Sequence, residues 1–277
     1  MRENFEIRAL EHIDIDRAFA KAKKILAKET IRLDGFIGET GYFEDEVKAD
    51  KGYVAEMEKK FEKINSPEQE ELNKLATIFE AVIHEHAELS NWFGPDAFTI
   101  KTSRFDDIKN GVDTVVEFEE TETTPEYLAL AIDVTFSAET TEKFERIKKE
   151  IKNGELTEVK YFRSEHTEPK KLKKIPRVVI GAEAKTVKEL GDLWLEGENK
   201  ALGKHWIQFQ ILDEIIAQLK GFGDYARLIG KEEEARIYDR ELNLAKKIYK
   251  QKFSEVKDSL DRDSVFYSLD SHARNFS

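Results

Sequence analysis

Two aspartates, Asp113 and Asp133, stand in apolar surroundings where a carboxylate needs a physical reason. From Leu128 to Phe136 the even positions are Leu128, Leu130, Ile132, Val134 and Phe136, the alternation of a strand with one face in a core. The odd positions are Ala129, Ala131, Asp133 and Thr135. A buried and unpaired carboxylate there costs several kcal/mol, so Asp133 must meet a hydrogen-bond network, a cation or a metal. Twenty residues earlier, Gly111-Val112-Asp113-Thr114-Val115-Val116 repeats the pattern after a polar turn. Neighbouring antiparallel strands would bring the two carboxylates together. They would repel unless a divalent cation lay between them, and hard oxygen donors suit Mg²⁺ or Mn²⁺. The structural alternatives are Asp113 as a turn cap after Gly111 and Asp133 as the partner of a buried base.

The elements that must position these residues are legible from periodicity. Amphipathic helices are expected over residues 14–33, ended by Gly35 and Gly38, and over 43–64, interrupted near Gly52. A third starts at the capping box Ser66-Pro67-Glu68-Gln69 and runs to Gly94-Pro95, with Leu75, Phe79, Val82, His86 and Leu89 as its stripe. Strands follow at 97–102, 112–119 and 127–136, broken by the polar turn 106–111 and the run ending Thr124-Pro125. A helix over 141–152 stops at Asn153-Gly154, and strands resume at 156–162 and 177–180. The rest reads as helix: one from the capping box Thr186-Val187-Lys188-Glu189, one over 201–219 and one over 232–259. The tail after Asp261 carries no strong pattern and is expected to be loosely ordered. The fold class is therefore α/β with a mixed sheet in the centre.

A helix with Glu, a strand with Asp, then a strand with an acidic-x-Lys motif: in that order residues 72–182 resemble the core of the PD-(D/E)xK nuclease superfamily. The resemblance implies a restriction-endonuclease-like mixed β-sheet core over 67–185, with an N-terminal helical region over 1–66 and a C-terminal one over 186–277. It places Asp113, Asp133 and Glu85 around Mg²⁺ or Mn²⁺, with Glu88 as the other choice on that helix. Ser103-Arg104-Phe105-Asp106-Asp107 looks like the loop leading into the site. The motif lysine is replaced by Thr135, so another lysine must act with the attacking water. Lys143 is preferred, with Lys160 and Lys101 as the other candidates. The implied activity is metal-dependent hydrolysis of phosphodiester bonds in DNA or RNA.

Charge qualifies this reading. There are 57 acidic and 45 basic residues, a formal net charge of −12, which argues against nonspecific coating of nucleic acid. The balance reverses between 160 and 177, where Lys160, Lys170, Lys171, Lys173, Lys174 and Arg177 would hold a nucleic-acid backbone. With no cysteine, disulfides, thiolate catalysis and Cys-ligated zinc are excluded. No apolar run approaches the ~20 residues that span a bilayer, and the opening residues are charged throughout, so no membrane partner and a cytoplasmic location are expected. His84 and His86 point away from each other on a helix, and His86 falls on the apolar stripe as a core residue. Two other readings stay open. One is a degenerate, inactive nuclease fold that binds nucleic acid or a protein. The other is a helical interaction module whose terminal helices meet a protein partner.

Overall fold

The computed structural model of the chain describes residues 14–61, 66–118, 126–133 and 138–276. Thr135 therefore lies outside the described residues, as do the expected strand ends beyond Phe118 and Asp133. Helix α1 (Ile15–Glu29) leads through a 3-10 turn (Leu33–Phe36) to α2 (Glu44–Phe61) and α3 (Pro67–Leu89). Strands β1 (Ala97–Lys101), β2 (Thr114–Phe118) and β3 (Glu126–Asp133) follow, with a π-helical turn at Asp106–Asn110 between the first two. Then come α4 (Ala138–Asn153), β4 (Thr157–Phe162), β5 (Lys170–Ile175) and β6 (Arg177–Gly181). The chain closes with α5 (Ala184–Glu196), α6 (Asn199–Leu202), α7 (Ile207–Leu228), α8 (Glu232–Glu255) and α9 (Ser264–Arg274).

The main sheet has the order β1-β2-β3-β6. Its first three strands are antiparallel, and β6 runs parallel to β3 after the α4 crossover. All of β2 is buried, because both faces of the sheet are covered. Val116 and Phe118 join the core that holds Leu75, Phe79 and Val82 of α3. Val115, one residue out of phase, packs instead with Val159, Phe162, Leu172 and Ile175 of the β4–β5 hairpin. The larger core is continuous from Ala18 through α7, α8 and α9 to Phe276, across residues 66 and 185.

Several expectations need correction. Helix α2 runs unbroken through Gly52. The basic stretch before Arg177 contains a strand, β5, which alternation did not reveal. The pairing of β4 with β5 shifts register twice, and Lys174 adopts φ 55° where β5 carries an extra residue. Leu172 and Ile175 are thus both inward at a spacing of three, and the two-residue period is lost. Helix α5 begins at Ala184, and Thr186 is no cap: its hydroxyl donates to Asp263 Oδ2 at 3.0 Å. The expected helix over 201–219 is two, because the chain turns after Leu202. Gln208 Nε2 donates to the carbonyls of Gly203 and His205 there. The tail is ordered: α9 buries Val265, Leu269 and Ala273, and Phe276 follows them into the core. One apolar residue per turn among Ser, Tyr, Asp and His is too sparse a stripe to read from sequence.

The two edges of the sheet are handled differently. Along β6, three residues one turn apart on α7 serve as a surrogate strand. Gln218 Oε1 accepts from the Val179 amide (2.8 Å), and its Nε2 donates back to the Val179 carbonyl. Glu214 accepts from the Gly181 amide (3.0 Å), while Gln210 donates to the Gly181 carbonyl (3.1 Å). Burial pushes the Glu214 carboxyl well above its ordinary range, against the pull of the Gly181 amide and Gln210. Along β1, Thr99 donates weakly to Glu88, Ile31 donates to the Lys101 carbonyl, and a cleft opens beside the strand.

Candidate active site

Lys101 ends β1 at an inward position, because Ala97, Thr99 and Lys101 alternate toward the core while Phe98 and Ile100 do not. Only 7% of it is exposed. Its ammonium lies 2.6 Å from a Glu80 carboxylate oxygen on α3, donates to the Asp113 carbonyl at 3.0 Å, and lies 3.9 Å from Asp107. Burial raises the Glu80 carboxyl to about 7, against the pull of Lys101 and with the help of Asp113 and Asp107. Burial alone would lower the Lys101 ammonium, but Glu80, Asp107 and Asp113 overcome it and hold that group above its ordinary value.

The turn between β1 and β2 sets the position of Asp113. Gly111 closes the π-helical turn at φ 64°, and a Cβ there would stand 3.0 Å from an Arg146 guanidinium nitrogen and 3.2 Å from one of Arg177. The left-handed backbone favours glycine, and a Cβ there would crowd both guanidinium groups. Arg177, at the start of β6, donates to the Asn110 carbonyl and pairs with Glu150 of α4 at 2.8 Å. Asp107 is shared, since Arg104 Nη1 also reaches it at 2.5 Å and bridges on to Glu58 of α2.

Asp113 and Asp133 arrive at the same end of the sheet. Thr114 pairs with Leu130, so Asp113 precedes that pair by one residue and Asp133 follows it on β3. The Asp133 backbone pairs with Gly181 at the end of β6. Asp113 is half buried, and its charge is felt by Glu80, Lys101 and Arg177. The Asp133 side chain is outside what is described. Among the described residues no group of three or more His, Asp or Glu could hold a metal ion, so the ion reading turns on the Asp133 carboxylate. The acids here are carboxylates, and Glu80 and Asp107 already face the Lys101 and Arg104 cations.

The other expected site residues are dispersed. Glu85 accepts from the Trp194 indole N–H of α5 and belongs to the α3–α5 contact. Five residues separate it from Glu80, roughly 140° around the helix, which turns it away from the sheet end. Lys143 is half buried on α4. Lys160 pairs with Asp50 and, at 2.8 Å, with Glu46 of α2, and Lys171 lies 3.8 Å from Glu46. Lys170 donates to the Tyr127 hydroxyl at 2.9 Å, and Lys174 pairs with Glu233 of α8 at 2.7 Å. Lys173 is exposed. The basic segment thus largely balances acids of the same chain and ties the hairpin to α2 and α8.

Ser103-Arg104-Phe105-Asp106-Asp107 has a structural role: Asp106 is fully buried and accepts from Ser103, Asn110 and two amides of β4. His86 is core, its Nδ1 2.8 Å from the Ser90 hydroxyl. Sequence reasoning chose Glu85 rather than Glu80 for this helix and ranked Lys101 behind Lys143. The signal for Lys101 was a lysine at an inward strand position, which demands a buried counter-charge. No protein-family model, curated protein or solved structure matches this chain.

Proposed function

We propose that this chain is a nuclease-like phosphodiester hydrolase of the PD-(D/E)xK type, with Lys101 in place of the motif lysine absent at Thr135 and Glu80 as the helix carboxylate. The observation that carries this reading is the meeting of Glu80, Lys101 and Asp113 at one end of a sheet whose strand order and directions suit that core. The α3-β1-β2-β3-α4-β6 succession supports it, with the β4–β5 hairpin as an insertion before the last strand. A divalent ion, held by Asp113 and Asp133 with Glu80 behind them, would supply Lewis-acid charge to the phosphate and a more acidic water. Lys101 contributes a fixed positive charge that Glu80 orients, so little reorganisation is needed as charge builds on a phosphate oxygen. Arg177 anchors the turn that carries Asp113.

The test is cleavage of labelled single- and double-stranded DNA and RNA in Mg²⁺ or Mn²⁺, with ion binding followed by calorimetry. Asp113→Ala and Asp133→Ala should abolish both. Lys101→Met should slow cleavage roughly a hundredfold or more while leaving ion binding in place. A second reading is favoured by the Glu80–Lys101 ion pair itself, which neutralises the site without an ion. It is the inactive nuclease fold that binds nucleic acid or a protein. Failure of the wild type to take up either ion and to cleave any substrate would select it.

A further inference from the structure

The cleft beside β1, about 670 Å³ in volume, lies between the end of α1, the last turns of α3, the strand and residues 163–166. Its lining includes a buried carboxyl oxygen with no hydrogen-bond partner. Glu117 on β2 lines the cleft and is 0% exposed. One of its oxygens accepts from the Thr167 hydroxyl at 2.9 Å, and the other, Oε2, has no hydrogen-bond partner. Buried carboxylate oxygens are expensive to leave bare, so this position calls for a donor, and best for a cationic one.

The rest of the cleft points to the same chemistry. Glu29, Glu85, Glu88 and Glu165 line it along with Glu117, and its two basic side chains are already engaged. Lys101 is paired with Glu80, and Arg163 with Glu39 at 2.7 Å. Burial lowers the His84 imidazole, so it adds no charge near neutrality, and its Nδ1 also lacks a partner. Ile25, Ile31, Leu89, Phe98 and Ile100 supply apolar walls. Phe98 pairs with Glu117 across the strands and packs against the His166 ring at 4.7 Å, which closes the floor from one side. The volume falls within the range of roughly 300–1,000 Å³ typical of small-molecule sites.

We infer that this cleft binds a small alkyl-ammonium or alkyl-guanidinium compound, its head donating to Glu117 Oε2 and its aliphatic stem lying along Phe98 and Ile100. The cleft borders the proposed phosphodiester site at Lys101, whose ammonium is held by Glu80, and the contact at Glu117 does not depend on phosphodiester chemistry. The experiment is titration of the full chain with agmatine and with 1,4-diaminobutane, by calorimetry and thermal shift, with neutral 1,4-butanediol as control. Saturable binding of either cation, a melting temperature that rises with its concentration, and affinity weakened about tenfold or more in Glu117→Gln are expected. No saturation of the wild type below about 10 mM, or equal affinity in Glu117→Gln, overturns the proposal. If Glu117→Gln does not fold, Phe98→Ala replaces it, with a weaker affinity for agmatine expected and an unchanged one decisive against. Binding of an arginine-containing tripeptide with none by the free cations would also overturn it, since the ligand would then be a protein segment.

Discussion

The carboxylate of Asp106 accepts the backbone amide of Tyr161 at 3.0 Å, and its other oxygen accepts the neighbouring amide of Lys160 at 2.7 Å. Consecutive amides of a regular strand point to opposite sides and cannot share one acceptor group. The second register shift of β4 falls at these residues, and the bulge turns both amides toward the π-helical turn. The same carboxylate holds Ser103 and Asn110, so one side chain ties the β1–β2 turn to the hairpin across more than fifty residues. The turn that ends at Gly111 is thereby fixed just before it delivers Asp113.

Replacing Asp106 with alanine should leave two strand amides and the Asn110 amide without acceptors inside the protein. The loss expected is about 3–5 kcal/mol, above the cost of a single buried hydrogen bond because several donors are orphaned at once. Urea denaturation measures it. A change below about 1 kcal/mol would mean that the bulge keeps its shape without the carboxylate.

The Glu80–Lys101 pair makes a prediction in pH. The folded-state Glu80 carboxyl at about 7 lies above its ordinary 4.5. Between these values the folded chain keeps a proton that the unfolded chain has released. This contribution to stability is full below about pH 4.5 and is lost as pH rises through about 7. Glu80→Gln should flatten that slope, whose limit is about 1.4 kcal/mol per pH unit for one proton. Lys101→Met should cost about 3–5 kcal/mol at pH 8, where Glu80 must either stay ionised and unpaired or take up a proton, and less at pH 5, where Glu80 keeps its proton in both proteins. The double variant should recover most of the loss. A cost for Lys101→Met that is equal at both pH values would contradict the shifted carboxyl.

What could be read from sequence, and what could not, follows from how local each signal is. The α3 start was legible because Ser66 accepts from the Gln69 amide three residues away, within one turn. Strands β1 to β3 were legible because alternation survives where a sheet is regular. Strand β5 was hidden by a bulge that destroys the two-residue period, and the residue that holds the start of α5 was hidden because it lies far along the chain. For the candidate site, Asp113 was visible as a charge in an apolar strand. Glu80 was not chosen, since its meaning comes only from Lys101 on another element, and Glu85 was preferred on the same helix.

That distant partner of the α5 N-terminus is Asp263. Its Oδ2 accepts from the Glu183 amide (2.8 Å) and the Thr186 hydroxyl, while its Oδ1 accepts from the Val265 amide (3.1 Å) and from Gln210. One carboxylate therefore serves the N-termini of both α5 and α9. Asp263→Ala should destabilise the protein by about 2–3 kcal/mol, more than an ordinary single cap. Hydrogen exchange should quicken in the first turns of both helices together. Faster exchange in α9 alone would show that α5 does not depend on this contact.

At the β6 edge of the sheet, α7 takes the place of a neighbouring strand. Gln218 satisfies both the amide and the carbonyl of Val179, as a neighbouring strand would. Gln218→Ala should leave both groups bare in a buried position at a cost of about 2–4 kcal/mol. Glu214→Gln should cost less: it keeps an acceptor for Gly181 and removes a carboxyl whose ionised form burial disfavours. A bare strand edge is also a template for pairing with another chain, so Gln218→Ala should aggregate at lower temperature than its loss of stability alone accounts for. Light scattering during a thermal ramp, compared with an unrelated variant of equal stability, separates the two effects. If the two variants aggregate alike, the α7 side chains contribute packing and hydrogen bonds but do not guard the edge.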